Sequence, residues 1–154
     1  MSGRAVLHFE FAIFLGILVA VFLFAAWKGD QAERLGGAFN LIAGLIASAI
    51  GWFLHGGLES TLQLSVDAAL AAGFLYLALR FASLWVGLAL LLQAVQFSLH
   101  AFYLVSDLPR DLNYKIINNL DTDGINLCIV FGTALAWRRR ARARPASLSS
   151  SPAN

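Results

Sequence analysis

The feature that most constrains this chain is a series of apolar runs, each long enough to cross a lipid bilayer. The hydrocarbon core is about 30 Å thick and an α-helix rises about 1.5 Å per residue, so a span needs about 20 apolar residues. Four runs are clear and a fifth is polar in its first half; they cover Phe11–Trp27, Leu35–Leu54, Leu62–Leu79, Phe81–Val105 and Ile116–Trp137. The sequence therefore predicts a protein whose solvent is lipid.

Composition supports this prediction. The chain has 154 residues, of which 59% are hydrophobic and only 13% are charged, whereas a soluble domain has about 25% charged residues. We expect one domain, an all-α polytopic membrane helix bundle, over residues 1–137. Residues 138–154 are predicted to form a cytoplasmic tail that is rich in arginine and then, from the Ser/Pro-rich part onward, disordered.

The number of spans has two solutions. Residues 62–105 would form a helix of about 66 Å if continuous, which is twice the membrane thickness, so we predict a hairpin at Arg80–Ser83. Polar loops are expected at Lys28–Arg34 and Ser106–Lys115. Gly124–Trp137 has no charged residue, which favours five transmembrane helices. The alternative is four, with the last segment not spanning.

Basic residues are used to orient the bundle. With five helices and a cytoplasmic C-terminus, Lys28, Arg34, Arg80 and five tail arginines lie inside and three basic residues lie outside, which follows the positive-inside rule. If only four helices span and both termini are inside, the division is again eight against three. We expect a multi-pass protein of the cell inner membrane with a cytoplasmic C-terminus.

Arginines near the C-terminus are interpreted as ligands of lipid headgroups rather than of nucleic acid. They are Arg138, Arg139, Arg140, Arg142 and Arg144. The four tryptophans each lie within about four residues of a predicted helix end, where indole rings prefer the headgroup layer. They are Trp27, Trp52, Trp85 and Trp137.

Polar residues gather at one end of an up-and-down bundle. The predicted intramembrane cluster consists of Asp67, His100, Gln96, Gln93, Asp121 and His55. A carboxylate in an apolar span is costly and should face the bundle interior with a partner, so we expect Asp67 to pair with His100 first. Asp67 either fixes two helices together or handles a proton, an ion or a ligand.

Small residues recur on the second helix at spacings of four and seven residues. Gly37, Gly44, Ala47 and Gly51 lie on one face and would allow another helix to approach closely. We interpret them as a helix-packing face.

No motif for catalysis or for a cofactor is present. The three histidines come from different helices and form no pair with metal-ligand spacing, so no metal site and no cofactor are predicted. Asp-Thr-Asp-Gly at residues 121–124 lacks the later ligands of a calcium loop.

The stretch Val66–Val105 resembles small uncharacterised multi-spanning membrane proteins of proteobacteria. The resemblance lies in Asp67, Ala78-Leu79-Arg80 at the hairpin, Leu84-Trp85 after it, and a glutamine followed by His100 on the next helix. It implies an inner-membrane location and no activity.

Three functional hypotheses remain at this point. The first is a non-enzymatic subunit or a homo-oligomer whose helices pack through the small-residue face, with the lipid bilayer and another membrane protein as partners. The second is a pathway for a small solute, a proton or an ion, built on Asp67, Gln93, Gln96 and His100. The third is a membrane-embedded metal-dependent enzyme.

Overall fold

A computed structural model describes residues 3–148 except residues 55 and 110. The described residues form five α-helices and no strand. The helices are α1 (Gly3–Lys28), α2 (Gln31–Phe53), α3 (Gly57–Phe81), α4 (Leu84–Val105) and α5 (Leu112–Leu148). The predicted all-α class is confirmed.

The turns between helices are tighter than the sequence indicated. The predicted hairpin is confirmed, since α3 ends at Phe81, Ala82 adopts a left-handed conformation with φ of 45°, and α4 begins at Leu84. The first loop is shorter than the predicted Lys28–Arg34, because the backbone N–H of Asp30 donates to the Glu33 carboxylate at 2.9 Å and so fixes the start of α2.

The five helices close into a ring. Each packs against its neighbours in chain order, α1 packs also against α5, and α2 reaches α5 across the ring. One end, which we call the polar end, holds the start of α1, the α2–α3 turn and the α4–α5 loop. The other end, which we call the arginine end, holds the α1–α2 and α3–α4 turns and the arginines of α5.

Contacts at the arginine end show that α5 runs the full length of the bundle. The Arg140 side chain pairs with the Asp30 carboxylate at 3.2 Å and donates to the Lys28 carbonyl. The Lys28 ammonium lies 4.9 Å from the centre of the Trp137 ring. Because Tyr103 and Tyr114 touch at the polar end, with ring centres 5.0 Å apart, α1 and α5 are parallel and cover the same thickness.

A dry core fills the half of the bundle nearest the arginine end. Phe74, Leu77 and Val86 are completely buried there, together with Ile129 of α5. Trp85 belongs to this core and is only 5% exposed, so its predicted place in the headgroup layer is wrong. Its ring fits between α2 and α5, where Gly36 and Gly132 leave the space, and its indole N–H donates to Glu33 at 2.9 Å.

Four helices, α1 to α4, are long and apolar enough to cross a membrane, and α5 is not among them. The structure explains part of the polar composition of α5, because three of its polar residues, Asp121, Asn126 and Thr133, are buried. Its outward side chains are largely apolar in the part beside the other helices; they include Ile116, Leu120, Leu127, Phe131 and Leu135.

The helix α5 also continues further than predicted. The apolar run predicts an end at Trp137, whereas in the structure the helix continues through the arginines to Leu148. Arginine has a high helix propensity, so the chain has no local reason to leave the helix where it leaves the apolar run.

Candidate functional site

A cavity of about 740 Å³ lies inside the ring of helices, toward the polar end. All five helices contribute to its wall. Its polar lining consists of Asn40, Gln63, Asp67, Gln93, Gln96, His100, Tyr114, Asn118, Asn119, Thr122 and Asp123. The residues that α1 contributes are all apolar, so one wall of the cavity is apolar whereas the other helices contribute polar side chains.

The centre of the polar wall is a chain of three side chains from three helices. Nδ1 of His100 on α4 contacts a carboxylate oxygen of Asp67 on α3. Nε2 of the same ring lies 3.0 Å from the Asn118 amide oxygen on α5. The side chains of His100 and Asp67 are each about a tenth exposed, at 11% and 10%. The pair is therefore shielded but still reached by the cavity.

An imidazole between a carboxylate and an amide oxygen has a defined proton position. An amide oxygen only accepts, so Nε2 of His100 must carry a hydrogen to bond Asn118. Nδ1 of His100 and the Asp67 carboxylate then share one remaining proton site between them.

Two glutamines of α4 extend this network. Gln96 donates to the Asn118 oxygen at 3.3 Å, and Gln93 donates to the Asp67 backbone carbonyl at 3.3 Å. Gln93 is completely buried, yet its Oε1 makes no hydrogen bond with any described residue. A buried acceptor without a donor is costly, so the cavity is bordered by a residue whose amide oxygen is unpaired among the described residues.

Asp121 lies next to this network but not in the cavity wall. It is 6% exposed, and its Oδ2 has no hydrogen-bond partner among the described residues. The predicted cluster also included His55, which lies outside the described residues. The structure thus brings together Asp67, Gln93, Gln96 and His100, and it places Asp121 beside them.

A bond that the sequence analysis missed crosses the ring at the inner part of the cavity. Asn40 on α2 donates to the Asn126 oxygen on α5 at 2.8 Å, and both residues are buried. An asparagine inside an apolar run needs a partner as an aspartate does, so Asn40 carried the same signal as Asp67. Beyond this bond, the dry core with Phe74 and Leu77 closes the cavity toward the arginine end.

A second, outer cavity of about 400 Å³ lies at the polar end. It is lined by Gly56, Gly57, Glu59, Ser60, His100, Tyr103, Leu104, Asp107, Leu108 and Tyr114. His100 and Tyr114 line both cavities, and their rings stack with centres 5.4 Å apart. These two rings form a partition between the outer cavity and the inner one.

The loop that leads into α5 is fixed beside this partition by Asp111. Its carboxylate accepts the Tyr114 backbone N–H at 2.9 Å and the Tyr103 hydroxyl at 2.8 Å. These bonds, first that from the Tyr114 N–H and then that from the Tyr103 hydroxyl, hold the pKa of Asp111 below its ordinary value. Asp111 thereby orders the first turn of α5, from which Tyr114 reaches His100.

The predicted helix-packing residues of α2 are used inside the chain. Gly37 and Gly44 leave room for α1, where a Cβ atom would lie 3.2 Å from Ala25 and 2.4 Å from Leu18. Ala47 lines the inner cavity, and Gly51 lies near Gln63 of α3. A homo-oligomer could not pack through Gly37 and Gly44, because α1 already covers them.

No cluster of three or more His, Cys, Asp or Glu side chains that could hold a metal ion occurs in the part of the chain that the structure describes. The Asp67–His100 pair supplies two ligand types that metals accept, but its third neighbour, Asn118, provides only a neutral amide oxygen.

Comparisons with protein families, with curated proteins and with solved structures find no match to this chain.

Proposed function

We propose that this protein is an integral membrane protein that takes up protons or a small polar solute from the water at its polar end. The observation that carries the proposal is the Asp67–His100–Asn118 chain, which lies between an outer and an inner cavity. A purely structural aspartate needs one partner and no cavity. Here four helices, α2 to α5, contribute polar side chains to the wall of a cavity of about 740 Å³.

All five helices cross the bilayer in this proposal. Four are apolar enough to do so alone, and α5 lies beside them from the polar end to the Lys28–Trp137 contact with Asp121, Asn126 and Thr133 buried against the other helices. The arginine end carries Lys28, Arg34, Arg80 and the arginines of α5. By the positive-inside rule, we propose that it lies on the cytoplasmic side of an inner membrane. The cavities then face the opposite side.

The cavity is closed toward the arginine end by the dry core, so the structure corresponds to a state accessible from one side. Passage across the membrane requires the contacts around Trp85 and Phe74 to rearrange. This arrangement is typical of proteins that alternate between two accessible states around a fixed site near the middle of the membrane.

The test replaces Asp67 by asparagine, which keeps the size and removes the titratable group. In sealed vesicles with a pH-sensitive dye inside and an imposed membrane potential, we expect the wild-type protein to carry protons faster than empty vesicles. Asp67→Asn should lower the rate to that of empty vesicles. The same substitution at Asp30, which lies at the arginine end outside both cavities, is the matched control and should leave the rate unchanged.

Two results would refute the proposal. One is a wild-type rate equal to that of protein-free vesicles over the range of pH 5 to 8 in which histidine titrates. The other is an Asp67→Asn protein that is folded, as judged by an unchanged melting temperature in detergent, and conducts at the wild-type rate.

A further inference from the structure

The wall of the inner cavity between α1 and α5 is incomplete near the polar end. Ile13 and Ile17 of α1 line the cavity and are nonetheless 47% and 42% exposed. Across from them, Asn119 and Asp123 of α5 line the same cavity and are also exposed. Side chains that belong at once to a cavity wall and to the outer surface mark an opening.

This opening lies at a depth that faces lipid. Lys28 and Trp137 meet at the arginine end, and α1 and α5 run parallel from there. Counting back about 15 residues along each helix, or about 22 Å of rise, reaches Ile13 on α1 and the Thr122–Asp123 region on α5. The opening therefore sits within the span, below the loops of the polar end, and not in the outer cavity.

The two sides of the opening have opposite chemistry. The α1 side presents branched aliphatic side chains, and the α5 side presents an amide and a carboxylate. The described residues that line the inner cavity include Asp67 and Asp123 but no lysine or arginine. Deeper inside, Oε1 of the completely buried Gln93 has no hydrogen-bond donor among the described residues. The inner cavity thus offers hydrogen-bond acceptors and negative charge. Its opening adds an apolar surface, formed by Ile13 and Ile17 of α1.

We infer that the opening between α1 and α5 admits a membrane-borne amphiphile with an ammonium head group. The head group, a cation with N–H donors, occupies the inner cavity near Asp67, Asp123 and Gln93, and the hydrocarbon chain lies along Ile13 and Ile17. The inference goes beyond the proposed function, because it adds to the same cavity a ligand that enters from the lipid and not from the water at the polar end. A cavity of about 740 Å³ is in the range that holds small organic ligands.

Charge and geometry both favour this class over the common anionic lipids. An anionic head group would meet the Asp123 carboxylate and the amide oxygen of Gln93, both of which repel it in a low-dielectric site, whereas Asp67 already contacts His100. A fully water-soluble amine would donate to the acceptors but would make no contact with the apolar surface at Ile13 and Ile17.

The experiment uses the full chain in nonionic detergent micelles and two photoreactive probes. Both have the same twelve-carbon chain with a diazirine; one ends in a primary ammonium and the other in a sulfonate. After illumination, mass spectrometry maps the labelled peptides. We expect the ammonium probe to label the segment around Ile13 and Ile17 and the start of α5, and the sulfonate probe to label these segments about tenfold less, the effect of one charge-assisted hydrogen bond.

Variants separate the head-group site from the opening. Asp123→Asn should reduce labelling by the ammonium probe, whereas Asp30→Asn should not. Replacing both Ile13 and Ile17 by tryptophan should narrow the opening and reduce labelling, whereas Ile42→Trp, on the exposed face of α2, should leave it unchanged. Each variant is used only if its melting temperature equals that of the wild type. If the double tryptophan variant is destabilised, the smaller change Ile13→Phe replaces it.

The outcomes distinguish this inference from the proposed function. Equal labelling by both head groups overturns the inference, and so does competition by methylammonium that is as effective as competition by dodecylammonium, since the ligand would then come from water. Either result, together with proton flux that depends on Asp67, leaves the proposed function standing. If the wild-type protein shows no proton flux that depends on Asp67 but still selects the ammonium probe, only the proposal of proton uptake is refuted.

Discussion

Two side chains near helix ends, Trp85 and Glu33, form a buried hydrogen bond that goes with the location of the Trp85 ring inside the bundle. A tryptophan at a helix end suits the headgroup layer, and this is why the sequence analysis placed Trp85 there. Glu33 is 2% exposed, and its Oε1 accepts the Trp85 indole N–H at 2.9 Å. The sequence held no sign of this bond, because the two residues are far apart along the chain and the space for the ring comes from Gly36 and Gly132.

Asp67 and His100 were predictable for the opposite reason. An aspartate within an apolar run must face a polar partner inside the bundle, and His100 was one of the few polar side chains expected at the same depth. The sequence could not show the cavity beside them, since a cavity depends on how five helices splay and not on any single residue. Asn118, which completes the chain of contacts, looked like one polar residue among several at the start of α5.

At this scale we predict that Trp85→Phe destabilises the protein by about 1–3 kcal/mol, because it leaves the buried Oε1 of Glu33 without its donor. Trp137→Phe is the matched control, since Trp137 is 47% exposed and its loss should cost much less. Unfolding in mixed micelles of increasing denaturing-detergent content measures both. Equal destabilisation by the two substitutions would contradict the role of the hydrogen bond.

At the scale of the element, α5 is the helix that the sequence described least well. Its hydropathy is low, and its polar residues suggested either a late span or a segment outside the membrane. The structure shows that composition averaged over all sides of a helix hides which residues are buried, because Asp121, Asn126 and Thr133 face the ring whereas Leu127, Phe131 and Leu135 face outward. Helices α1 to α4 needed no such distinction, and their existence and the α3–α4 hairpin were predicted.

The start of α5 should respond to pH. The pKa of Asp111 is lowered in the folded protein, so its contribution to stability is complete above the unfolded value of about 3.9 and is lost as the pH falls through the lower folded value. We expect amide exchange at Tyr114, corrected for the intrinsic rate, to rise as the pH is lowered toward 3.

Asp111→Asn provides the control for this prediction. The asparagine retains an acceptor oxygen but has no charge to lose, so protection at Tyr114 should be lower than in the wild type at neutral pH and should not depend on pH. A wild-type protection factor that is constant from pH 6 to pH 3 would show that Asp111 does not hold this turn.

At the scale of the whole molecule, the five-span topology makes a prediction about sidedness. In a Cys128→Ser background, cysteines are introduced singly at Asp107, Arg80 and Arg138, and each is treated with a membrane-impermeant thiol reagent from either face. We expect Asp107→Cys to react from one face, and Arg80→Cys and Arg138→Cys to react from the other, because α5 returns the chain across the bilayer.

A four-span protein gives a different pattern, which makes this measurement decisive. If α5 stayed on the side of the α4–α5 loop, then Arg138→Cys would react from the same face as Asp107→Cys, and Arg80→Cys alone would react from the opposite face. Charge counting on the sequence predicted both arrangements equally well.

The inward polar face of α5 also has a consequence for biosynthesis. A segment with Asp121, Asn126 and Thr133 on one side partitions poorly from the translocon into lipid on its own, because those groups would lose their hydration without compensation. It enters favourably once α1 to α4 already stand in the bilayer and present Asn40 and the other acceptors and donors of the ring. The fifth helix is therefore expected to insert last, after α1 to α4. Replacing Asn40 by leucine removes a buried partner of α5 and should leave α5 outside the membrane in a cell-free translation with microsomes.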